Sequence, residues 1–130
     1  MVVDASALVS LLVDPGAVGD WLSDQMRGRQ LAGPELLPFE VANTLRRLEG
    51  SFRIDRTLAA TAHDDLLSLR LRLLPYPALA ERAWRLRTHV TVYDGVYVAL
   101  AEMLQAPLIT LDRRLAKAHG LGCEILIPMG

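Results

Sequence analysis

Apolar residues along the chain fall into two kinds of segment. Short runs rich in β-branched residues stand near both ends, and longer stretches between them repeat apolar residues every three or four positions. The short runs predict strands, and the longer stretches predict helices. Strands that alternate with helices are typical of a parallel sheet covered on both faces. We therefore predict an α/β fold, a three-layer sandwich with a short central parallel sheet, built as one domain from residues 1–130.

The same pattern places the individual elements. Glycine and proline residues separate them, and acidic residues stand before several helices, where they can act as caps. The predicted strands cover residues 1–3, 29–34, 72–77, 107–112 and 123–129, of which 108–111 and 124–127 are expected to be fully buried. The predicted helices cover residues 6–14, 17–26, 35–50, 54–71, 78–90 and 113–122, and a further helix begins at Asp94.

The stretch TVYDGVYVAL, residues 91–100, supports two local structures. An Asp-Gly pair between apolar runs is typical of a β-hairpin turn. However, Val96 and Leu100 continue at helical spacing, and the alternation that a return strand requires is missing. The pattern therefore predicts a helix that begins at Asp94, with Gly95 allowing the chain to bend close to this acid.

Composition narrows the class of protein. Hydrophobic residues make up 52% of the chain and the net charge is −1, so the sequence indicates neither a disordered protein nor a strongly basic nucleic-acid-binding one. Cys123 is the only cysteine and is expected to act as a small apolar residue. The apolar run at 7–13 is too short to span a membrane, and no basic leader precedes Asp4. We expect a soluble cytoplasmic protein.

Four acidic residues stand where a parallel sheet would form a binding site. Asp4 follows the first predicted strand, Asp112 ends the strand at 107–112, and Asp94 and Glu40 each lie beside apolar residues. In open parallel sheets, ligands bind beyond the carboxyl ends of the strands. A single Asp at such a junction is most often a helix cap. Four acids without a nearby lysine favour a shared cation instead, because an unpaired buried carboxylate is costly.

The type of these side chains indicates the cation and the reaction. Carboxylate oxygens suit Mg²⁺, with Mn²⁺ as a substitute, and an ion held in this way binds phosphate and activates water. This chemistry points to phosphodiester hydrolysis. Three polar neighbours are candidates for supporting roles: the Thr110 hydroxyl, on the same side of its strand as Asp112; Ser6, as a helix cap or a site hydroxyl; and Asn43, which is placed to orient Glu40 or to contact substrate.

Three stretches of the sequence resemble one known family. They are MVVDASALVSLL at the amino terminus, PFEVANTLRR in the middle and YDGVYVALAEMLQAPLITLDRRLAKA near the end. Their order and spacing resemble the PIN-domain family, and in particular the VapC-type toxins of bacterial toxin–antitoxin pairs. The resemblance covers nearly the whole chain. Its last stretch is the most specific, because an acid, an aromatic helix, an apolar strand, Thr-x-Asp and a basic helix follow one another.

The resemblance implies a Mg²⁺-dependent endoribonuclease. Its acidic quartet of metal ligands would be Asp4, Glu40, Asp94 and Asp112, with Thr110 as the accompanying hydroxyl. A metal-bound water would attack the RNA phosphorus while a carboxylate takes its proton. The resemblance also implies a homodimer, inhibition by a cognate VapB-type antitoxin, and DNA binding only through that antitoxin.

Basic residues near the acids are candidates for contacts with RNA phosphates. They are Arg113, which is predicted to bind substrate together with Ser6 and Asn43, and in addition Arg114, Lys117, Arg46 and Arg47. Arginine suits phosphate because its guanidinium can pair with two oxygens, although each of these side chains also fits a solvated helix face. An arginine of the antitoxin, inserted among the carboxylates, would block the same site.

Other interpretations remain at this point. The pair His63-Asp64 resembles part of an HD phosphohydrolase motif, but no further histidines follow at matching positions. A non-catalytic alternative is a receiver-like or antitoxin-type interaction module, in which the acids only cap helices or line a regulatory pocket. The aromatic residues Trp21, Phe39, Trp84 and Tyr97 are interpreted as core or dimer packing rather than as surfaces for base stacking.

Overall fold

Strands and helices alternate along the chain, as the apolar pattern predicts. The computed structural model describes residues 1–129. The strands are β1 (Val2–Val3), β2 (Leu31–Pro34), β3 (Leu71–Leu74), β4 (Leu108–Ile109) and β5 (Ile125–Leu126). The helices are α1 (Ala5–Val13), α2 (Ala17–Met26), α3 (Leu36–Gly50), α4 (Arg56–Ser68), α5 (Tyr76–Arg85), α6 (Val92–Leu104) and α7 (Arg113–Lys117), with a 3₁₀ turn at Leu86–Thr88.

All five strands pair in parallel, in the order β3-β2-β1-β4-β5. The chain moves outward from β1 to β2 and β3, and then crosses to β4 on the other side of β1. This reversal makes the gap between the carboxyl ends of β1 and β4 the switch point of the sheet, where parallel α/β folds bind ligands. Asp4 directly follows β1, and Thr110 directly follows β4.

Helices cover the sheet and complete the three-layer α/β sandwich that the sequence predicts. Helix α1 packs against α2, α3 and α4, whereas α6 packs against α5 and against strands β1, β2 and β4. The two central strands are fully buried, since Val2, Val3, Leu108 and Ile109 have no exposed surface. Helix α6 is buried along residues 95–101, which explains why that stretch is apolar on every side.

Helix α5 begins and ends earlier than the predicted 78–90. It starts at Tyr76, with Pro77 in its first turn, where a proline sacrifices no helical hydrogen bond. After Arg85 the backbone tightens into the 3₁₀ turn Leu86–Thr88. His89, which follows this turn, is therefore part of a loop rather than of the helix.

Two predicted strands also differ from the observed ones. The strand expected at 72–77 is β3, Leu71–Leu74, because Pro75 already serves as the residue that precedes helix α5. The expectation that residues 124–127 are fully buried is wrong. Strand β5 lies at the edge of the sheet, and both its residues are only partly buried.

The helix prediction for residues 91–100 is confirmed, but the predicted start at Asp94 is wrong. Thr91 caps α6, because its side chain accepts a hydrogen bond from the Asp94 N–H, so Asp94 lies in the first turn. Gly95 does not bend the chain. A Cβ atom at this position would lie 3.2 Å from the Ala83 carbonyl oxygen, so the glycine allows α5 and α6 to approach closely.

None of the helices among residues 1–129 is long and apolar enough to cross a membrane.

Candidate active site

Asp4 is the most buried acid in the described chain and stands at the centre of the candidate site. Only 8% of its surface is exposed. Its Oδ1 atom accepts hydrogen bonds from the Ala7 N–H at 3.0 Å, which caps α1, and from the Ser6 hydroxyl at 2.7 Å. Its Oδ2 atom accepts a hydrogen bond from the Thr110 hydroxyl. The buried carboxylate is therefore held by three neutral donors and no cation.

Thr110 connects Asp4 to the next acid in the site. Its side chain is fully buried, and its hydroxyl oxygen accepts a hydrogen bond from the Asp112 N–H at 3.0 Å while the hydroxyl donates to Asp4. Ser6 makes a parallel connection, because its oxygen accepts the Leu111 N–H at 3.1 Å. The carboxyl ends of β1 and β4 are thus joined by side chains as well as by the sheet.

Glu40 enters the site from α3 and is held by Tyr97, a residue for which the sequence predicts only a role in packing. The Tyr97 hydroxyl donates a hydrogen bond to Glu40 Oε1 at 2.6 Å. Tyr97 is 3% exposed, and its own pKa is raised because burial and the neighbouring carboxylate both disfavour the phenolate. The sequence does contain a signal that Tyr97 belongs to the site. Tyr97 follows Asp94 by three residues, and this spacing places both side chains on one face of a helix.

Asp94, Asp4 and Glu40 share one electrostatic environment. Burial is the main cause that raises the pKa of each of these three carboxyls. Mutual repulsion adds to it, since Asp94 raises the pKa of both Asp4 and Glu40, and Asp112 raises that of Asp94. Across residues 1–129, no arginine, lysine or histidine forms an ion pair with any of the three. The structure therefore concentrates negative charge at the switch point of the sheet, where Arg114 lowers the pKa of Asp94 without forming an ion pair with it.

Asp112 differs from the other three acids. It caps α7 by accepting the Arg114 N–H at 2.9 Å, and it pairs with the Arg114 guanidinium at 3.2 Å. The Arg114 hydrogen bond is the main reason that the pKa of Asp112 is lowered. A cation of the protein itself thus balances the charge of this acid.

Two of the predicted site residues do not contact the acids. Asn43 is exposed and accepts a hydrogen bond from Arg46 at 3.0 Å, so it does not orient Glu40 through a hydrogen bond. Arg113 points toward the carboxyl end of the chain, where it donates to the Pro128 carbonyl at 3.2 Å. The contact of these two side chains with substrate stays a prediction.

The carboxylate oxygens of the four acids are ligands of the type that a divalent cation prefers, although the acids do not form a complete metal-binding group. No group of three or more His, Cys, Asp or Glu side chains in residues 1–129 is arranged to hold a metal ion, and this includes the surroundings of His63 and Asp64. Mg²⁺ keeps several waters and needs few protein ligands. A site for four carboxylate ligands stays a prediction.

These features, a parallel α/β sandwich with an acidic switch point, define the class of protein. A model of the PIN domain family matches residues 1–121. "Ribonuclease VapC1" from Mycobacterium tuberculosis is 44% identical over 125 residues, which cover 95% of this chain and 94% of that protein. The chain belongs to the PIN domain family, and the resemblance found in its sequence is confirmed.

Solved structures have the same fold. PAE2754 from Pyrobaculum aerophilum superposes with a TM-score of 0.66 at 28% identity, over 95% of this chain and 81% of that one. VapBC2 from Rickettsia felis, solved bound to a DNA fragment from its promoter, gives a TM-score of 0.66 at 16% identity, over 96% of this chain and 97% of that one.

Replacing Thr110 by valine tests the connection between the two strand ends. The substitution leaves one Asp4 oxygen and the Asp112 N–H without their partners, so we expect the free energy of unfolding to fall by about 1–3 kcal/mol. Urea unfolding measures this change. Thr61→Val is the matched control, because Thr61 is exposed on α4. Equal stability of the two variants would contradict the assigned role.

Replacing Asp94 by asparagine tests whether burial, and repulsion by the neighbouring acids, makes the charged form of Asp94 costly. We expect the metal-free variant to unfold at a temperature about 2–4 °C higher at neutral pH, a small gain because Asp94 is only half-buried and solvent screens its charge. Differential scanning calorimetry measures the gain, and millimolar Mg²⁺ should stabilise the wild-type protein more than the variant.

The gain in stability from Asp94→Asn should increase as the pH rises. Since the pKa of Asp94 is raised above 3.8 in the folded protein, the folded state binds more protons than the unfolded state between 3.8 and the raised value. The contribution of Asp94 to wild-type stability therefore falls as the pH rises through this window. The gain from Asp94→Asn should be complete above the window and should disappear below it. A gain that does not change with pH would exclude the cost of the Asp94 charge as the cause.

Proposed function

We propose that the protein is a Mg²⁺-dependent endoribonuclease, the toxin of a VapBC-type toxin–antitoxin pair that is neutralised by a cognate VapB-type antitoxin. The supporting observation is that the buried Asp4 and the half-buried Glu40 and Asp94 interact near the carboxyl ends of the central strands, where none of them has a basic partner among residues 1–129. A cation bound there would relieve the repulsion among them. Relatives named ribonuclease VapC, 44% identical in the case of VapC1, support RNA as the substrate.

Different residues of the chain would have different roles in hydrolysis. Asp4, Glu40, Asp94 and Asp112 would hold Mg²⁺, or Mn²⁺ as a substitute. When bound, the ion neutralises charge on the phosphate and makes water more acidic. Thr110 holds Asp4 in one orientation, and a carboxylate with a raised pKa, Asp4 or Asp94, accepts the proton of the water that attacks the phosphorus. The new P–O bond forms as the bond to the leaving RNA oxygen breaks.

The acids without a basic partner also explain how an antitoxin would act. An arginine from the antitoxin could pair with two carboxylate oxygens and neutralise the charge that the metal would otherwise balance. This contact would exclude both metal and RNA from the site. In this proposal the chain binds DNA only indirectly, through its antitoxin.

An apolar groove next to the site supports the proposal of a homodimer. The groove has a volume of about 430 Å³ and is formed by the beginnings of α3, α5 and α6 together with the end of β2. Tyr76 and Tyr93 line it and are 49% and 66% exposed. Phe39, on the adjoining turn of α3, is 75% exposed. Exposed apolar surface of this kind commonly marks a protein interface.

Cleavage of RNA tests the proposed activity. With Mg²⁺, antitoxin-free wild-type protein should cleave RNA from total cellular extracts at internal positions, and Asp4→Asn and Asp94→Asn should each reduce the rate on the order of 100-fold or more. Sequencing of the new RNA ends measures the cleavage. Asp64→Asn is the control, because Asp64 is an exposed acid on α4.

Two outcomes would overturn this proposal. Folded wild-type protein that cleaves no RNA with either Mg²⁺ or Mn²⁺ would favour the non-catalytic interaction module. Loss of cleavage in Asp64→Asn, with activity retained in Asp94→Asn, would place the chemistry at the His63–Asp64 pair instead.

The dimer is tested by light scattering on a size-exclusion column. Tyr76→Arg places a charge in the apolar groove and should convert a dimer into a monomer. Phe52→Arg changes another exposed aromatic residue, which lies in the turn after α3 and is 93% exposed, and it should leave the dimer intact. A monomeric wild-type protein, or a dimer broken by Phe52→Arg alone, would contradict this interface.

A further inference from the structure

A second, polar cleft of about 420 Å³ adjoins the acids and shares no lining residue with the apolar groove. One wall is the segment from the 3₁₀ turn to the start of α6, and the other is α7. Asp94 and Asp112 both line the cleft, so it opens directly onto the proposed metal site. Arg87 and Arg114 stand among the other lining residues and bring positive charge to both walls.

The two arginines differ in what they already bind. Arg114 forms an ion pair with Asp112, whereas Arg87 forms none with any acidic side chain of residues 1–129. The neighbouring arginines on α5 are also paired, Arg82 with Glu102 and Arg85 with Glu81. Arg87 is exposed and is therefore the cation of this region whose charge is available to a ligand.

Trp84 holds the Arg87 side chain in place. The guanidinium carbon lies 4.4 Å from the centroid of the indole ring, a cation–π contact, and one guanidinium N–H donates to the Trp84 carbonyl at 2.8 Å. Trp84 is 57% exposed, so of the two roles expected for it, packing in the core or in a dimer, the structure excludes only the core. A guanidinium held in one position in this way is suited to bind a phosphate.

We propose that this cleft is the binding site for the nucleotide next to the scissile phosphate of single-stranded RNA. Arg87 contacts the phosphate of that nucleotide, and Trp84 is the positioning residue that fixes the guanidinium. The inference rests on the proposed ribonuclease function and assigns to it a contact with the backbone, which carries no base specificity. A phosphate placed here would lie between the acids on one side and the Arg87 guanidinium on the other.

Binding and turnover of a short fluorescein-labelled single-stranded RNA that contains a mapped cleavage site test this proposal. Arg87→Ala should raise KM about ten-fold with little change in kcat, because it removes a hydrogen-bonded charge contact made equally before and during the reaction. Fluorescence anisotropy with the Asp4→Asn protein, which should bind without cleaving, should show the same loss when Arg87→Ala is added. The slope of log K against log salt should decrease by about 0.7.

The matched control is Arg85→Ala. Arg85 is also an exposed arginine, it lies two residues away, and it pairs with Glu81 rather than lining the cleft. This variant should bind and cleave RNA as the wild-type protein does. Trp84→Ala should weaken binding less than Arg87→Ala, and Trp84→Phe should retain most of the affinity. The double variant should bind no more weakly than Arg87→Ala alone if Trp84 acts through Arg87.

The outcomes separate this proposal from the ribonuclease function on which it rests. If the wild-type protein cleaves RNA while Arg87→Ala leaves KM, affinity and salt slope unchanged, the cleft proposal is wrong and the function stands. If Arg85→Ala and Arg87→Ala weaken binding equally, the effect is general charge and the cleft proposal is also wrong. If the wild-type protein neither binds nor cleaves RNA, both proposals fail together.

Discussion

The burial of the Asp4 carboxylate without a cationic partner is the constraint on which the site depends. A carboxylate in this position is tolerated because the Ser6 and Thr110 hydroxyls and the Ala7 N–H donate to it. These donors come from both central strand ends, so the same contacts that satisfy the acid also fix the two chain segments relative to each other. The contacts that allow a charged Asp4 in the site are therefore also contacts that stabilise the fold.

The arrangement keeps negative charge where stability alone would not favour it. Glu40 and Asp94 add to the charge of Asp4, and burial raises the pKa of all three. The only acid of the quartet with a basic partner in the described chain is Asp112, which pairs with Arg114. A bound cation would relieve the repulsion, and an inserted arginine would do the same. One electrostatic feature thus accounts both for the proposed catalysis and for its proposed inhibition.

The sequence was sufficient for the sandwich and for the acids at its strand ends, because apolar periodicity and strand-to-helix junctions are local signals. The sequence was insufficient for residues whose role depends on contacts between distant parts of the chain. Tyr97 is an ordinary buried aromatic residue until α3 brings Glu40 to its hydroxyl. Gly95 resembles a turn residue until α5 packs against it. The availability of Arg87 could not be foreseen either, since it depends on which neighbouring arginines find an acid.

The central claim is that the acidic site formed by Asp4, Glu40 and Asp94 binds a divalent cation. Crystals of the wild-type protein grown with Mn²⁺ and measured at a wavelength where manganese scatters anomalously test it most directly. The account predicts an anomalous peak in direct contact with carboxylate oxygens of Asp4 and Asp94, and its loss in crystals of Asp94→Asn. Well-ordered crystals without manganese at this site, or with manganese bound only elsewhere, would contradict the account.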